Sequence, residues 1–166
     1  MPPASAPPAA PAAAPLSVGS MAPAFTLPDQ YGAPWSLWEQ RGKAVVLLFF
    51  PFAFSGVCTG ELVAIRDRLG DFETDRSTIV TVSCDSMFAN RAMADRDALF
   101  FPILSDFWPH GQMARSYGVL DEGSGGVNRS SYVIDPEGQI TWSIHHETGL
   151  ARNLDEHVDA LGRLLG

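Results

Sequence analysis

The segment Pro51-x-x-x-Ser55-x-x-Cys58 combines residue types that are suited to thiol chemistry. It links a continuous apolar run at residues 44–50 (AVVLLFF) to a stretch with helical periodicity, so Cys58 falls in the first turn of a helix that follows a strand. A cysteine there faces unpaired backbone N–H groups and the positive end of the helix dipole, which both stabilise a thiolate. Because the thiolate is the reactive form of cysteine, Cys58 is a candidate nucleophile.

The elements around this segment alternate between strands and helices. The run at 44–50 suits a central strand that is buried on both faces. After the cysteine, apolar side chains recur at helical spacing, at Leu62, Ile65, Leu69 and Phe72. The next segments are predicted in order as a strand, a helix, a strand and a helix: 79–83, 88–99, 101–104 and 109–117. This alternation predicts a sheet that is parallel at its centre.

Both ends of the chain add further strands and a helix. Residues 18–37 include a turn-rich stretch at 29–32 and are predicted to form a short hairpin ahead of the main fold. The last elements are predicted as two strands around the turn Asp135-Pro136-Glu137-Gly138 and a covering helix: 131–135, 139–144 and 154–165. The predicted fold class is α/β, a thioredoxin-like fold with a central mixed sheet flanked by helices and an N-terminal β-hairpin.

The spacing of Pro51, Ser55 and Cys58 resembles the Pro-x-x-x-Thr/Ser-x-x-Cys motif of the peroxiredoxin family. The resemblance extends over residues 18–166 and includes these further segments: Asp85-Ser86, 101–106 (FPILSD), and Arg129 just before 132–135 (YVID). Residues 107–111 (FWPHG) are similar to a segment of the one-cysteine alkyl hydroperoxide reductase E subgroup. The chain is therefore expected to belong to this subgroup.

The resemblance implies a thiol peroxidase that reduces hydrogen peroxide and organic hydroperoxides. The Cys58 thiolate would attack the terminal peroxide oxygen and become a sulfenic acid while alcohol or water departs. Arg129 would stabilise the thiolate and the departing oxygen, Ser55 would orient the peroxide, and Pro51 would shield the thiolate from water. Serine at 55 replaces the commoner threonine, which keeps the hydroxyl but loses the methyl group that restricts its rotamer.

Which thiol reduces the Cys58 sulfenic acid depends on whether Cys84 can act as a resolving cysteine. Cys84 does not match the usual positions of resolving cysteines, so the expected reductant is an external low-molecular-weight thiol or a thioredoxin- or glutaredoxin-like protein. Cys84 closes the strand at 79–83 and is expected toward the same edge of the sheet as Cys58, as a buried structural residue. An atypical two-cysteine peroxiredoxin with Cys84 resolving is the alternative. The resemblance also implies a homodimer or a higher homo-oligomer.

The same residues argue against one other function and leave another open. A thioredoxin-type disulfide reductase needs Cys-x-x-Cys, which the sequence around Cys58 lacks. A redox sensor or signalling protein, or a holdase chaperone, stays open as an alternative of another class. The four histidines lack the spacing of a metal motif, so no metal or cofactor is expected.

The composition limits which binding partners and which cellular location are expected. The net charge of −8 argues against nucleic acid or anionic membrane as a partner. No apolar run approaches the roughly 20 residues that span a bilayer, and two cysteines suit a reducing cytoplasm, which is the expected location. Residues 1–15, with six prolines and seven alanines, are predicted to be a disordered tail, which leaves 16–166 as one domain.

Overall fold

A computed structural model describes residues 14–146 and 149–166. Its elements are β1 (Thr26–Pro28), β2 (Pro34–Ser36), β3 (Ala44–Phe49), α1 (Gly56–Asp67), β4 (Ser77–Ser83), α2 (Met87–Asp97), β5 (Ile103–Ser105), α3 (Gln112–Ser116), β6 (Arg129–Ile134), β7 (Ile140–His146) and α4 (Leu154–Leu165). None of the helices in these ranges is long and apolar enough to cross a membrane. Most of the predicted tail, residues 1–13, lies outside the described residues, so the division at residue 16 stays a prediction.

A five-stranded mixed sheet forms the centre of the fold, in the order β5-β4-β3-β6-β7. β3 runs parallel to β4, and β4 runs parallel to β5, whereas β6 is antiparallel to both β3 and β7. Every residue of β3 is buried, as its unbroken apolar sequence predicts for a strand covered on both faces. The predicted fold class is confirmed, because the sheet is flanked by helices and preceded by a hairpin.

Successive side chains of β3 point to opposite faces of the sheet and join two separate hydrophobic clusters. Val46 and Leu48 lie on one face, here called the α1 face, which packs against α1, α2 and α4. Val45 and Leu47 lie on the other face, here called the hairpin face, which packs against the β1–β2 hairpin and α3. In β3, residues with odd numbers therefore join the hairpin-face cluster, and residues with even numbers join the α1-face cluster.

The turn between β1 and β2 protects the outer edge of β5 through a single side chain. Gln30 is only 3% exposed. Its Nε2 donates to the Phe101 carbonyl at 2.9 Å, and its Oε1 accepts from the Ile103 N–H at 2.9 Å. Gln30 thus supplies the two hydrogen bonds that a neighbouring strand would otherwise make with this edge.

Several element boundaries differ from the sequence prediction by a few residues, and two of them have a clear physical reason. The apolar periodicity runs on to Phe72, but α1 ends at Asp67 and Leu69–Asp71 forms a separate 3-10 turn. Gly70, which has low helix propensity, lies in this turn. β5 begins later than predicted because Pro102 has no N–H to offer a strand ladder.

Replacing Gln30 by alanine should destabilise the fold, because the Phe101 carbonyl and the Ile103 N–H lose their partners. Each buried unpaired group costs roughly 1–3 kcal/mol, so we expect the free energy of unfolding in urea to fall by about 3 kcal/mol. Gln112→Ala, at an exposed glutamine, is the control and should change it by less than about 0.5 kcal/mol. Equal losses in the two variants would contradict this role.

Candidate active site

Cys58 lies in the first turn of α1 and is completely buried. Ser55 is the N-cap residue with extended backbone, and its carbonyl accepts from the Thr59 N–H at 2.9 Å. The Ser55 hydroxyl makes no capping bond to the N–H groups of the helix, so its side chain is not committed to holding the helix end. Pro51, also buried, begins the loop between β3 and α1.

Arg129 is brought to Cys58 by the topology of the sheet. Because β6 is antiparallel to β3, the start of β6 lies at the same end of the sheet as the close of β3, where the loop to Cys58 begins. The Arg129 side chain is 1% exposed, and its Nη2 donates to Cys58 Sγ at 3.3 Å. A guanidinium group in this position stabilises negative charge on the sulfur.

Glu61 links Arg129 to a second buried arginine, Arg152. Its Oε1 accepts from Arg129 Nη1 and also from Arg152 Nη1, the latter at 3.3 Å. Its Oε2 accepts from the backbone N–H of Arg152 at 2.6 Å. The Glu61 carboxylate therefore orients the Arg129 guanidinium that contacts Cys58. It also holds the backbone of Arg152, just before α4.

Arg152 is held by further contacts on β6. Its side chain is fully buried, with Nε donating to Ser131 Oγ at 3.0 Å and Nη2 donating to the Ser130 carbonyl at 3.3 Å. Burial lowers the pKa of Arg152 to about 10, and the negative charge of Glu61 acts against that shift. Arg152 therefore remains a cation at neutral pH, and all three of its described donor groups have acceptors.

Sequence reasoning missed both Glu61 and Arg152. Glu61 is a polar position between the apolar ones of α1, where exposed side chains are normal, yet it is only 5% exposed. The available signal was its i,i+3 spacing from Cys58, which places both side chains on one side of the helix. Arg152 lies outside the apolar pattern of α4, and only the packing of α4 against the sheet brings it to Glu61.

The loop between β3 and α1 is held by residues that follow β4 and by α2. The Ala53 N–H donates to Asp85 Oδ2 at 2.8 Å. Phe54 has a φ of +66°, which is unusual for a residue with a side chain, and the Arg96 guanidinium lies 4.9 Å from its ring centroid. Phe52 packs on the other side, near Gly126.

Cys84 directly follows β4, at the end of the sheet where the sequence predicts it, but on the opposite face from Cys58. Its side chain belongs to the hairpin-face cluster, whereas Cys58 belongs to the α1-face cluster. Burial, with added repulsion from Asp106 and Asp85, raises the pKa of Cys84 to about 12. Neither cysteine takes part in a disulfide, and Cys84 is protonated at neutral pH.

Three of the four histidines hydrogen-bond to groups of the chain itself. His145 Nδ1 lies 2.8 Å from Ser130 Oγ, and His157 Nε2 lies 2.7 Å from Ser131 Oγ. His110 Nδ1 lies 3.2 Å from the Phe107 carbonyl. Within residues 14–146 and 149–166, no three or more histidine, cysteine, aspartate or glutamate side chains cluster as metal ligands would.

Comparisons with known proteins agree with a thioredoxin-like fold. The model of the AhpC/TSA family matches residues 18–143. Alkyl hydroperoxide reductase E of Mycobacterium tuberculosis is 41% identical over 150 residues, which cover 90% of this chain and 98% of that protein. A peroxiredoxin of Thermoplasma volcanium is 33% identical, with 90% and 75% covered. The crystal structure of Enterococcus faecalis AhpC has a TM-score of 0.81 at 31% identity, with 88% and 90% covered.

The chain belongs to the AhpC/TSA family of peroxiredoxins. The family predicted from the motif around Cys58 is confirmed, and so is the similarity to alkyl hydroperoxide reductase E. The predicted class of activity, a thiol-dependent peroxidase, is confirmed with them. The roles of individual residues and the number of cysteines in the cycle stay predictions.

Gly126 allows the loop before α1 to close, and Gly126→Ala should loosen that loop. A Cβ atom there would lie 2.7 Å from Phe52 Cζ and 3.1 Å from the Pro51 carbonyl oxygen. We expect Cys58 to be alkylated by iodoacetamide about threefold faster, because opening the loop becomes easier by about 0.7 kcal/mol.

Gly123→Ala, in the same surface loop, is the matched control. Its Cβ would meet only the Asp121 side chain, at 3.3 Å. If both variants are alkylated at the same rate as the unmodified chain, Gly126 does not govern access to Cys58.

Proposed function

We propose that this chain reduces hydrogen peroxide and organic hydroperoxides through a sulfenic acid on Cys58, which an external thiol then reduces. The observation that carries this proposal is the 3.3 Å contact between Arg129 Nη2 and Cys58 Sγ in a fully buried site. A fixed cation beside a cysteine in the first turn of a helix favours a thiolate nucleophile. The same cation is placed to stabilise charge on the departing oxygen.

In the first step the Cys58 thiolate attacks the terminal oxygen of the peroxide. An S–O bond forms and the O–O bond breaks as the sulfur gives up two electrons, and the departing oxygen takes a proton and leaves as alcohol or water. Ser55, whose hydroxyl is not used as a helix cap, orients the peroxide oxygens. Pro51 excludes water from the sulfur.

In the second step two external thiols return the two electrons. The first displaces water from the sulfenic acid and forms a mixed disulfide with Cys58, and the second releases the Cys58 thiol and leaves as a disulfide. The thiol is a low-molecular-weight compound or a thioredoxin- or glutaredoxin-like protein. We assign the cycle to the cytoplasm, since reduction of Cys58 by external thiols needs a reducing compartment.

The opposite faces occupied by the two cysteines support a one-cysteine cycle. A resolving cysteine must approach the sulfenic acid, but Cys84 packs in the hairpin-face cluster, away from the α1 face that holds Cys58. A resolving cysteine also attacks as a thiolate, whereas burial raises the pKa of Cys84 to about 12. Cys84 is accordingly assigned to the core.

Organic hydroperoxides are included because aromatic side chains border the site. Phe52 and Phe54 belong to the loop before α1 and are 41% and 45% exposed. Exposed rings next to a buried polar centre offer apolar contact to the organic part of a hydroperoxide.

Cysteine variants test the cycle. Cys58→Ser should reduce peroxide consumption to the level of buffer, because the nucleophile is lost, whereas Cys84→Ser should keep the rate within about twofold when a small thiol is supplied. Consumption is followed from the loss of peroxide. Undiminished peroxide consumption by the Cys58→Ser variant would contradict the proposal.

Intact-mass measurement after one equivalent of peroxide, with a sulfenic-acid trap present, separates the two cycles. A trapped adduct on Cys58 is the expected product, and a Cys58–Cys84 disulfide would replace the one-cysteine cycle by the two-cysteine one.

We also propose that the chain forms a homodimer through the aromatic patch formed by Phe107 and Trp108. These side chains are 52% and 83% exposed, and Trp108 borders an open cavity of about 400 Å³ between the hairpin and α3. Large exposed aromatic side chains beside a groove are typical of protein interfaces.

Trp108→Glu should weaken self-association at least about tenfold, because an aromatic anchor is replaced by a charge. Sedimentation velocity over a concentration series measures this change. Trp38→Glu, at a tryptophan that is 67% exposed outside the patch, is the control and should leave the dimer intact. Equal effects of the two substitutions would exclude the patch as the interface.

A further inference from the structure

His157 is a fully buried histidine that lies close to the cluster around Cys58 but outside the motif that predicts it. It belongs to α4 and contacts two polar groups. Its Nδ1 lies 2.8 Å from the Asn153 carbonyl, and its Nε2 lies 2.7 Å from Ser131 Oγ. Its ring also meets Trp142 edge to face, with centroids 5.1 Å apart.

The direction of each hydrogen bond follows from the groups involved. The Asn153 carbonyl can only accept, so His157 Nδ1 carries the proton and Nε2 of the neutral ring accepts. Ser131 therefore donates its hydroxyl proton to His157. The lone pairs of Ser131 Oγ are then directed to accept from Arg152 Nε, which lies 3.0 Å away.

The neutral form of His157 is supported by its surroundings. Burial lowers the pKa of His157 to about 4, and the positive charge of Arg152 acts in the same direction. At neutral pH the ring therefore accepts the Ser131 proton and adds no charge beside Arg152.

We propose that His157 is a positioning residue for the peroxidase reaction, acting through the Ser131 hydroxyl on Arg152. Arg152 holds Glu61, and Glu61 holds the guanidinium of Arg129 against the Cys58 sulfur. This inference rests on the proposed function in one respect, namely that Cys58 is the nucleophile.

The chain of contacts explains why an aliphatic side chain cannot replace His157. Without Nε2, the buried Ser131 hydroxyl has no acceptor at this place and turns its proton toward another group. The hydroxyl then no longer presents a fixed lone pair to Arg152 Nε, and the guanidinium loses one of its three anchors. The reaction of Cys58 should therefore become slower even when the fold is retained.

The test measures the second-order rate of Cys58 oxidation by hydrogen peroxide in a single turnover, together with the thermal midpoint of each variant. His157→Leu and Ser131→Ala should each slow oxidation by about tenfold, the size expected for a lost hydrogen bond to a charged group. The double variant should be no slower than the slower single variant, because both changes break the same link.

His157→Gln is the rescue variant, since its amide oxygen can accept the Ser131 proton in place of Nε2. It should return the rate to within about threefold of the unmodified chain. Leu161→Ala is the matched control, because it removes a buried α1-face side chain from the same helix without touching Ser131. It should lower the thermal midpoint and leave the rate within about twofold.

A normal rate in His157→Leu overturns the inference, and so does a loss that Leu161→Ala reproduces or that His157→Gln does not rescue. If His157→Leu fails to fold, Ser131→Ala with His157→Gln decides the question by the same rates. Failure of the proposed function is distinct, because the unmodified chain would then show no oxidation of Cys58 by peroxide.

Discussion

A carboxylate buried between two guanidinium groups is the interaction on which the surroundings of Cys58 depend. Glu61 comes from α1, Arg129 from the start of β6, and Arg152 from the segment just before α4. Burying an ion costs several kcal/mol unless partners with good geometry replace its water. Each of the three charged groups is therefore stable in the interior only when the other two are in place. The contact between Arg129 and Cys58 depends on all three.

The mixed sheet makes this meeting possible. Parallel pairing of β3 with β4 sends the chain away from the sheet into a helix at one end, and the antiparallel β6 starts at that same end. A fully parallel neighbour would begin at the opposite end and carry Arg129 away from Cys58. The alternation of side chains then separates the two cysteines, since Cys84 continues the hairpin-face positions of β4 while Cys58 packs under the α1 face.

The sequence was informative wherever a local pattern has one physical meaning. The run at 44–50 could be interpreted as a central strand because it is apolar throughout and too short for a typical buried helix. Cys58 stood out because its spacing from Pro51 and Ser55 lies within one short segment. The contact of Arg129 with Cys58 was reached through a family motif rather than through any periodicity.

Long-range polar contacts were beyond such patterns. Charged residues within a helical pattern are normally exposed, so the pattern of α1 gives no sign that Glu61 is buried by partners far along the chain. Gln30 is similar, because a polar residue in a turn gives no sign that it will pair with the edge of β5. In both cases the hydrogen-bond partner is determined only when the elements pack together, so it cannot be predicted from local patterns in one sequence.

The distance along the chain between the members of the cluster also has a consequence for synthesis. Arg129 follows Cys58 by 71 residues, and Arg152 follows Glu61 by 91. Because a chain is made from its N-terminus, Cys58 emerges from the ribosome long before either arginine exists. A nascent chain therefore carries its thiol without the groups that surround it in the folded protein.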